Sequence, residues 1–214
     1  MTQLILKMSI SVDGFVGGPN GEIDWIFDSM DGATTAWIVD TLRQTRAHVM
    51  GSRTFHDMAA HWPTSTEPFA DPMNALPKVV FTHGGSFTAE PAPTTQALTD
   101  ATRRSVAAGR TNSPASPERM ATWRAPMVAN GDDLPGEIAR LKRELGGPLL
   151  AHGGARFAQA LVRAGLVDEY RLVVHPVVLG RGLPLFGTLE APRALTLVGV
   201  TPFASGAAAH VYRR

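Results

Sequence analysis

The stretch Leu149-Leu150-Ala151-His152-Gly153-Gly154-Ala155-Arg156-Phe157 joins a short apolar run to a helical pattern through two glycines. An earlier stretch, Val49-Met50-Gly51-Ser52-Arg53-Thr54, repeats this order of apolar strand, glycine turn and helix start. Glycine lets a backbone approach a ligand closely, and the free N–H groups of the following helix favour an anion. The arginine in each turn adds a planar fork of donors suited to phosphate. Both are therefore candidate phosphate-binding turns, although a glycine there can also make only a tight turn.

The elements around these turns alternate between strand and helix as far as residue 165, and strands follow. Residues 4–12 have the period of two that is typical of a strand, with Leu4, Leu6, Met8, Ile10 and Val12 on one face and Ile5, Lys7, Ser9 and Ser11 on the other. Further strands are predicted at residues 170–179, 194–200 and 207–212. The pattern predicts one α/β domain over residues 1–214, a helix-covered and mainly parallel sheet with antiparallel C-terminal strands. Ligands collect beyond the carboxyl ends of such strands, so the two turns can share one extended ligand.

Residues 84–125 differ in composition from the rest of the chain. They are rich in Gly, Pro, Ser, Thr and Ala, with little periodicity beyond a short helix at residues 99–108. We interpret the stretch as a flexible insertion, either a partly disordered excursion or a lid. The alternative is a mobile surface insertion without function.

The composition excludes several classes of function. The 214 residues carry 20 basic and 19 acidic side chains, and a net charge of +1 gives no reason to expect nucleic acid binding. There is no cysteine, and the seven histidines are scattered without an H-E-x-x-H pair, so no metal site is predicted. No G-x-S-x-G elbow, P-loop or G-x-G-x-x-G fingerprint occurs. The chain lacks a signal peptide pattern and a membrane-spanning apolar run, so a cytoplasmic protein is expected.

Three further side chains are candidates for contact with a substrate. Asp13 follows the first strand, where an acidic side chain can donate a substrate hydrogen bond when protonated or accept one when ionised, although Asp13-Gly14 is also a common turn pair. Trp25 and Trp62 fall near the expected ligand-facing loops and can form the wall of an aromatic pocket. Core packing explains both tryptophans equally well.

The order of several segments resembles the dihydrofolate-reductase-like superfamily, and most closely its branch containing the C-terminal reductase domain of the bifunctional riboflavin biosynthesis protein. The segments are Ser11-Val12-Asp13-Gly14-Phe15-Val16, Asn20-Gly21-Glu22-Ile23-Asp24-Trp25, Met50-Gly51-Ser52-Arg53-Thr54-Phe55, Lys78-Val79-Val80-Phe81-Thr82, His152-Gly153-Gly154-Ala155-Arg156-Phe157, Leu166-Val167-Asp168-Glu169-Tyr170-Arg171-Leu172 and Pro176-Val177-Val178-Leu179-Gly180-Arg181-Gly182-Leu183-Pro184-Leu185-Phe186. The resemblance covers nearly the whole chain except residues 84–125. It implies a three-layer α/β/α fold that binds NADPH in an extended form, and a homodimer.

The resemblance also implies roles for individual residues. The first turn would receive the 2′-phosphate and pyrophosphate side of NADPH, and the second the pyrophosphate and nicotinamide ribose. Thr82 and His83 would lie by the adenosine, and Asp13 by the nicotinamide and substrate. The implied cofactor residues are Gly51, Ser52, Arg53, Thr54, Thr82, His83, Gly153, Gly154, Ala155, Arg156 and Phe157, and the implied substrate side includes Asp13, Trp25, Trp62 and His152. Asp13 or water would supply the proton for hydride transfer to a C=N or C=O carbon.

Two departures affect the substrate side. Dihydrofolate reductases carry an acidic residue early in the helix after the first loop, whereas this chain reads Gly32-Ala33-Thr34-Thr35-Ala36-Trp37. Riboflavin-pathway reductases usually have a glutamate before the glycine pair, and this chain has His152. A reductase of the riboflavin type is therefore predicted, with a dihydrofolate reductase and a non-catalytic nucleotide- or flavin-binding module as alternatives.

Overall fold

The computed structural model describes residues 2–88, 94–110, 112–187 and 189–214. Within these residues the chain forms ten strands and seven α-helices. The strands are β1 (Leu4–Ser11), β2 (Phe15–Gly17), β3 (Ala47–Gly51), β4 (Lys78–Thr82), β5 (Met127–Asn130), β6 (Leu149–Ala151), β7 (Glu169–His175), β8 (Leu183–Pro184), β9 (Thr196–Pro202) and β10 (Ala208–Arg213). The helices are α1 (Gly32–Arg43), α2 (Ser52–His61), α3 (Ala70–Ala75), α4 (Gln96–Ala107), α5 (Pro117–Arg124), α6 (Leu134–Leu145) and α7 (Ala155–Arg163).

Eight of the strands form one sheet in the order β5-β4-β3-β6-β1-β7-β10-β9. The pairs from β5 through β7 are parallel, and β10 runs antiparallel to both β7 and β9. Strands β2 and β8 form a separate antiparallel pair. The predicted parallel sheet with antiparallel C-terminal strands is confirmed.

The two faces of the sheet bury different kinds of side chain. The first face, which includes Leu4, Leu6, Val49 and Leu149, packs against helices α6 and α7. The second face includes Ile5, Met50, Val80, Leu150 and Val173, and it packs against helices α1, α2, α3 and α5. Successive residues of a strand point to opposite faces, so the layers α/β/α follow from this alternation.

The second face also carries the buried polar side chains of the strands. They alternate with its apolar members along the same strands: Ser11, His48, Lys78, Thr82, Glu169 and His175, with His152 directly after β6. Buried polar groups are expensive unless they find partners, so a face with this many needs an explanation beyond stability.

The expectation of little regular structure at residues 84–125 is wrong. Helix α4 fills much of it and begins at Gln96 rather than at the predicted residue 99, and α5 was not predicted. Helix α5 buries one side chain, Trp123, which donates its indole N–H to Asn74 Oδ1 at 2.8 Å. A single buried side chain gives no repeating apolar stripe, which is why periodicity missed this helix. Residues 89–93 and 111 lie outside the described residues, and the flexibility of the stretch stays a prediction.

Strand β7 ends earlier than predicted. It stops at His175 instead of residue 179, because Pro176 has no N–H to continue the ladder. The chain from Pro176 onward is then available to contact the loop after β1, where Val12 N–H donates to the Val177 carbonyl at 2.9 Å. Within the described residues, no helix has both the length and the apolar character needed to cross a bilayer.

Candidate active site

The two glycine turns meet at one edge of the sheet. Strands β3 and β6 are neighbours, with Val49 opposite Ala151, so α2 and α7 start side by side. Gly154 has a φ of +102°, and a Cβ on it would lie 2.6 Å from Thr54 Oγ1. A Cβ on Gly51 would lie 3.6 Å from Cβ of Phe157. The turns therefore touch each other, and Gly154 is required both by its backbone conformation and by the close approach of Thr54.

The helices that follow these turns start without a side-chain cap. Gly51 and Gly154 occupy the cap positions of α2 and α7, and no described side chain bonds to the first N–H groups. The other long helices are capped differently: Asp31, Thr95, Ser116 and Asp133 each accept a hydrogen bond from the first turn. Two uncapped helix starts at one edge leave several N–H donors, and the positive ends of two dipoles, for an anionic ligand.

The arginine side chains of both turns are available to a ligand. Arg53 and Arg156 are exposed, and neither forms a hydrogen bond or an ion pair with a described residue. Ser52, Thr54 and Ala155 are half-buried between them. Guanidinium groups that have no internal partner beside open helix starts suit a phosphate-bearing ligand.

The end of β4 supplies two of the remaining candidate residues. Thr82 is buried, and its Oγ1 has no hydrogen-bond partner among the described residues. His83 is exposed at the rim, with its Nδ1 2.7 Å from Oδ1 of Asp132. A buried hydroxyl without a partner is unusual, and it is explained if a ligand completes its hydrogen bonding.

Phe157 contacts the core with its side chain. Its ring lies 5.1 Å from the ring of Phe81, as part of the apolar packing on the first face. The half-buried aromatic side chain therefore anchors α7 to the core, and its Cβ faces Gly51 of the first glycine turn.

Asp13 is held by hydrogen bonds on both carboxylate oxygens. Ser11 Oγ and Leu179 N–H donate to Oδ1 at 2.6 and 3.1 Å, and Gly180 N–H donates to Oδ2 at 2.7 Å. The hydroxyl of Ser11 and these backbone donors hold the pKa of Asp13 below its ordinary value. The expectation that Asp13 supplies a proton does not fit this arrangement, because such a carboxylate is ionised at neutral pH. The contacts instead show Asp13 joining the loops that follow β1 and β7.

Trp25 packs against a buried histidine near these loops. Its ring meets that of His175 edge-on, with 5.6 Å between centroids, and its indole N–H donates to the Glu22 carbonyl at 3.1 Å. Nδ1 of His175 lies 2.8 Å from Ser29 Oγ, whereas its Nε2 has no partner among the described residues. Burial lowers the pKa of His175 to about 4, so the ring is neutral. Trp25 thus covers a histidine with one unsatisfied nitrogen.

Trp62 lies in a packing position. Its ring stacks edge-on against His61 and Phe69, at centroid distances of 4.6 and 6.0 Å, and it belongs to the half-buried fringe of the second face. Its carbonyl accepts from Asn74 Nδ2 at 2.9 Å. Of the two interpretations that the sequence left open, these contacts favour core packing.

His152 is buried beneath the second glycine turn. It is 6% exposed, and its Nε2 lies 2.7 Å from Nδ1 of His48 on β3. Burial, reinforced by the charges of nearby groups, holds the pKa of His152 well below its ordinary value. The histidine that replaces a glutamate at this position is therefore neutral and fixed by a second histidine.

Lys7 is a site residue that the sequence reasoning missed. It lies in the middle of β1, half-buried, and forms no hydrogen bond or ion pair with a described residue. Burial lowers its pKa to about 8, and its charge acts on both His152 and His175. A lysine inside an otherwise uncharged strand was the available signal, because such a residue rarely stays buried without a partner.

The acidic residue nearest to the start of α1 is already engaged. Asp31 Oδ1 accepts from Thr34 N and Oγ1 at 2.7 and 2.8 Å, and its Oδ2 accepts from Ser205 N at 3.1 Å. These donors lower the pKa of Asp31 to about 2. The helix therefore offers no carboxylate of the kind that holds a pteridine. Across the described ranges, no group of three or more acidic or histidine side chains could hold a metal ion.

Known proteins are similar to this chain in sequence and in fold. The uncharacterized protein YyaP of Bacillus subtilis (strain 168) is 28% identical over 210 residues, covering 98% of this chain and 94% of YyaP. A Shewanella sp. PV-4 protein assigned to riboflavin biosynthesis has a structure that matches with a TM-score of 0.68 and 19% identity, over 100% of this chain and 99% of its own.

Two solved enzymes share the fold at lower identity. The diaminohydroxyphosphoribosylaminopyrimidine deaminase/5-amino-6-(5-phosphoribosylamino)uracil reductase of Thermotoga maritima matches with a TM-score of 0.62 and 15% identity, over 99% of this chain and 56% of that one. The dihydrofolate reductase of Enterococcus faecalis, complexed with NADP(H), matches with a TM-score of 0.57 and 14% identity, over 99% and 96%. The sequence profile of the RibD C-terminal domain spans residues 2–209. The chain therefore belongs to the RibD C-terminal domain family and has a dihydrofolate-reductase-like fold.

Proposed function

We propose that this protein is an NADPH-dependent reductase of the riboflavin-biosynthesis reductase type. The carrying observation is the contact between two uncapped glycine turns, each with an uncommitted arginine. The family assignment supports a reductase, and the fold is shared with a dihydrofolate reductase solved with NADP(H). The proposed substrate is a polar heterocycle or ribosylamine with a reducible C=N or C=O group.

The residues at the sheet edge fit an extended dinucleotide. In the proposed arrangement, Arg53 and the start of α2 bind the 2′-phosphate side, and Arg156 and the start of α7 bind the pyrophosphate and nicotinamide ribose. Thr82 Oγ1 gains its missing partner from the adenosine half, with His83 at the rim. When bound, the cofactor supplies a hydride from nicotinamide C4 to the electrophilic carbon of the substrate.

Lys7 is the proposed proton donor on the substrate side. A pKa of about 8 leaves its ammonium mostly protonated at neutral pH but close to the range in which it releases a proton readily. The Nζ–H groups have no described partner, so they are available to the nitrogen or oxygen that gains charge as its carbon accepts the hydride. Asp13 then serves to hold the loop beside this site, through Leu179 and Gly180.

A cofactor-selectivity experiment tests the proposed NADPH site at the two glycine turns. The Arg53→Ala variant is expected to weaken NADPH binding by about 1.5–3 kcal/mol, the range for a hydrogen bond to a charged group, and to leave NADH binding nearly unchanged. Titration calorimetry with both cofactors measures this difference. Arg163→Ala, at the far end of α7, is the matched control and should change neither affinity. An equal loss for both cofactors would contradict the assignment of Arg53.

A substrate panel separates the remaining functions. NADPH oxidation is followed with aminouracils, pterins and simple carbonyls. The proposed reductase is expected to turn over an aminouracil-type compound, whereas the engaged Asp31 carboxylate disfavours dihydrofolate. Tight NADPH binding without turnover on any of these compounds would favour a non-catalytic binding module.

The proposed assembly is a homodimer formed through the sheet edge at β9. This strand is the last of the eight-stranded sheet, and its apolar side chains are exposed: Leu197, Val198 and Val200 are 53, 47 and 48% accessible. Exposed apolar edges are rare in monomers because they invite pairing with another strand. Light scattering tests whether two copies associate in solution.

A further inference from the structure

A chain of hydrogen bonds crosses the buried part of the second face. Its members are His152 after β6, His48 on β3 and the backbone carbonyl of Pro72 in α3. Nε2 of His152 lies 2.7 Å from Nδ1 of His48, and Nε2 of His48 lies 3.2 Å from the Pro72 oxygen. Both rings are buried, with their centroids 4.6 Å apart.

The carbonyl at the end of this chain fixes the direction of every bond. A carbonyl oxygen only accepts, so His48 carries its proton on Nε2 and donates to Pro72. In the neutral ring, Nδ1 of His48 is then an acceptor, and the proton between the two rings belongs to Nε2 of His152. Nδ1 of His152 is left with a lone pair, because the hydrogen bond of the His152 ring among the described residues runs through Nε2.

Burial keeps this arrangement neutral, and neighbouring charges add to the effect, although burial also lowers the pKa of Lys78 to about 7. Lys7 on β1 and Lys78 on β4 are the cations that act on the pair. Lys78 is itself held in place by the Leu76 carbonyl, by Thr122 Oγ1 at 3.0 Å and by the ring of Trp123. Burial and these positive charges lower the pKa of His48 to about 3, and that of His152 also falls far below its ordinary value. Between pH 5 and 8, His152 therefore stays an acceptor at Nδ1.

Lys7 offers the opposite polarity on the same face. Its ammonium is a donor without a described partner, and its charge acts on His152. We propose that His152 accepts a hydrogen bond at Nδ1 from a ring N–H of the substrate, so that the site selects a heterocycle that presents this donor beside the group that Lys7 protonates. His48 is a positioning residue, since it acts by setting the polarity of His152. The substrate class in this inference rests on the proposed function. The tautomers of the two histidines do not, because they follow from the hydrogen bonds alone.

The tautomers are measured without any ligand. Long-range ¹H–¹⁵N correlation spectra of the full chain, labelled on histidine, report which ring nitrogen carries the proton. His48→Asn and His152→Asn variants assign the signals, and thermal unfolding shows whether each variant folds. Both rings are expected as neutral Nε2–H tautomers from pH 5 to 8. An Nδ1–H tautomer of His152, or a charged ring at pH 6, would overturn the proposal.

The substrate edge is tested by equilibrium binding of a matched pair of compounds. The full chain, saturated with NADPH, is titrated with 5,6-diaminouracil and with 5,6-diamino-1,3-dimethyluracil, which lacks the ring N–H donors. Preference for the N–H compound is expected to be about tenfold, the effect of leaving one buried acceptor unsatisfied. His152→Asn, which keeps an oxygen acceptor, should retain the preference, and His152→Leu should lose it. Equal affinity of the wild type for both compounds would overturn the proposed role of His152 as an acceptor. This test measures binding and needs no turnover. A failure of the reductase proposal can therefore be told apart from a failure of this inference.

Discussion

The two faces of the central sheet are built from the same strands but bury different chemistry. On the first face, β1 contributes Leu4 and Leu6 to an apolar layer under α6 and α7. On the second face, the same strand contributes Lys7, and its neighbours contribute His48, Lys78, His152 and His175. One face is therefore arranged as an ordinary core, while the other accepts unfavourable desolvation of titratable groups.

This difference separates stability from function within one sheet. A half-buried lysine without a described partner and buried neutral histidines lower the free energy of unfolding, so such groups persist where they have another use. They lie on the side that faces the proposed substrate position, below the two glycine turns. The contrast predicts opposite responses when each face is altered.

Acidification should have the largest effect on the free energy of unfolding. The buried histidines that take up protons all lie on the second face, whereas the first face is apolar. The pKa values of His48 and His175 fall from the ordinary 6.5 to about 3 and about 4, and that of His152 also falls. Since the unfolded chain binds these protons first, the contribution of these histidines to stability is present above about pH 6.5 and is lost as the pH falls below it. Between pH 7 and 5 we expect a loss of about 1–2 kcal/mol for His48 and the same for His175, measured by urea unfolding, and a further loss from His152. His48→Asn should reduce this loss by the amount expected for one histidine. An unchanged pH dependence in this variant would contradict the lowered pKa of His48.

A cavity in the first face should give the next largest effect and leave the site intact. Leu161 is fully buried on α7, and Leu161→Ala is expected to reduce the free energy of unfolding by about 3 kcal/mol. Affinity for NADPH, measured by calorimetry, should stay within about twofold. Val106→Ala, at a side chain 68% exposed, is the control and should change stability by less than about 0.5 kcal/mol. A loss as small as the control's would mean that the first face is not the main source of stability.

Removing the charge from the second face should act in the opposite direction. The pKa of Lys7 is lowered from 10.5 to about 8, so its charged form destabilises the folded state below pH 8, and stability rises as the pH increases from 8 to 10.5. Lys7→Met is expected to raise the free energy of unfolding at pH 7 by about 1–2 kcal/mol, after allowance for the partial exposure of the side chain. It should also reduce kcat/KM by about 100-fold or more. Lys142→Met, which removes a lysine paired with Asp168, should bring no gain in stability. Full activity in the Lys7 variant would refute its role as proton donor.

The smallest effect is expected at the end of β4. Thr82→Val removes a buried hydroxyl without a described partner, so stability should be unchanged or rise by less than about 1 kcal/mol. NADPH affinity should fall by about fivefold if that hydroxyl binds the cofactor. The matched control is Thr41→Val, because the buried Thr41 hydroxyl accepts from Arg171 at 3.2 Å and should lose stability instead. If both variants lost stability equally, Thr82 would have an internal partner after all.

The sequence reveals the first face more readily than the second. Alternation in β1 is enough to identify Leu4 and Leu6 as core, and glycine between strand and helix identifies both turns. The hydrogen bond between His48 and His152 joins residues 104 positions apart. It depends on the pairing of β3 with β6, which the sequence of neither strand predicts. The lowered pKa of Lys7 cannot be predicted from the sequence either, because it depends on burial in the folded protein.

Turn residues show a similar limit. Asp13-Gly14 was recognised as a turn, but the partners of the carboxylate, Leu179 and Gly180, lie in a loop that β7 delivers from the other end of the chain. Local sequence therefore indicated the position of the turn without indicating its hydrogen bonds. Periodicity does not predict helix α5, because this helix buries a single tryptophan, Trp123, and has no periodic apolar stripe.

The central position of β1 has a consequence for how the chain is made. Leu4 pairs with Leu149 of β6, and the other edge of β1 pairs with β7, so both partners of this strand emerge long after it. At ribosomal rates of roughly 5–20 residues per second, an apolar strand waits on the order of ten to thirty seconds for its first neighbour. Such long-range pairing slows folding and leaves the strand open to aggregation meanwhile. Chaperones that shield nascent apolar segments should therefore raise the yield of this protein more than that of a helical bundle of equal length.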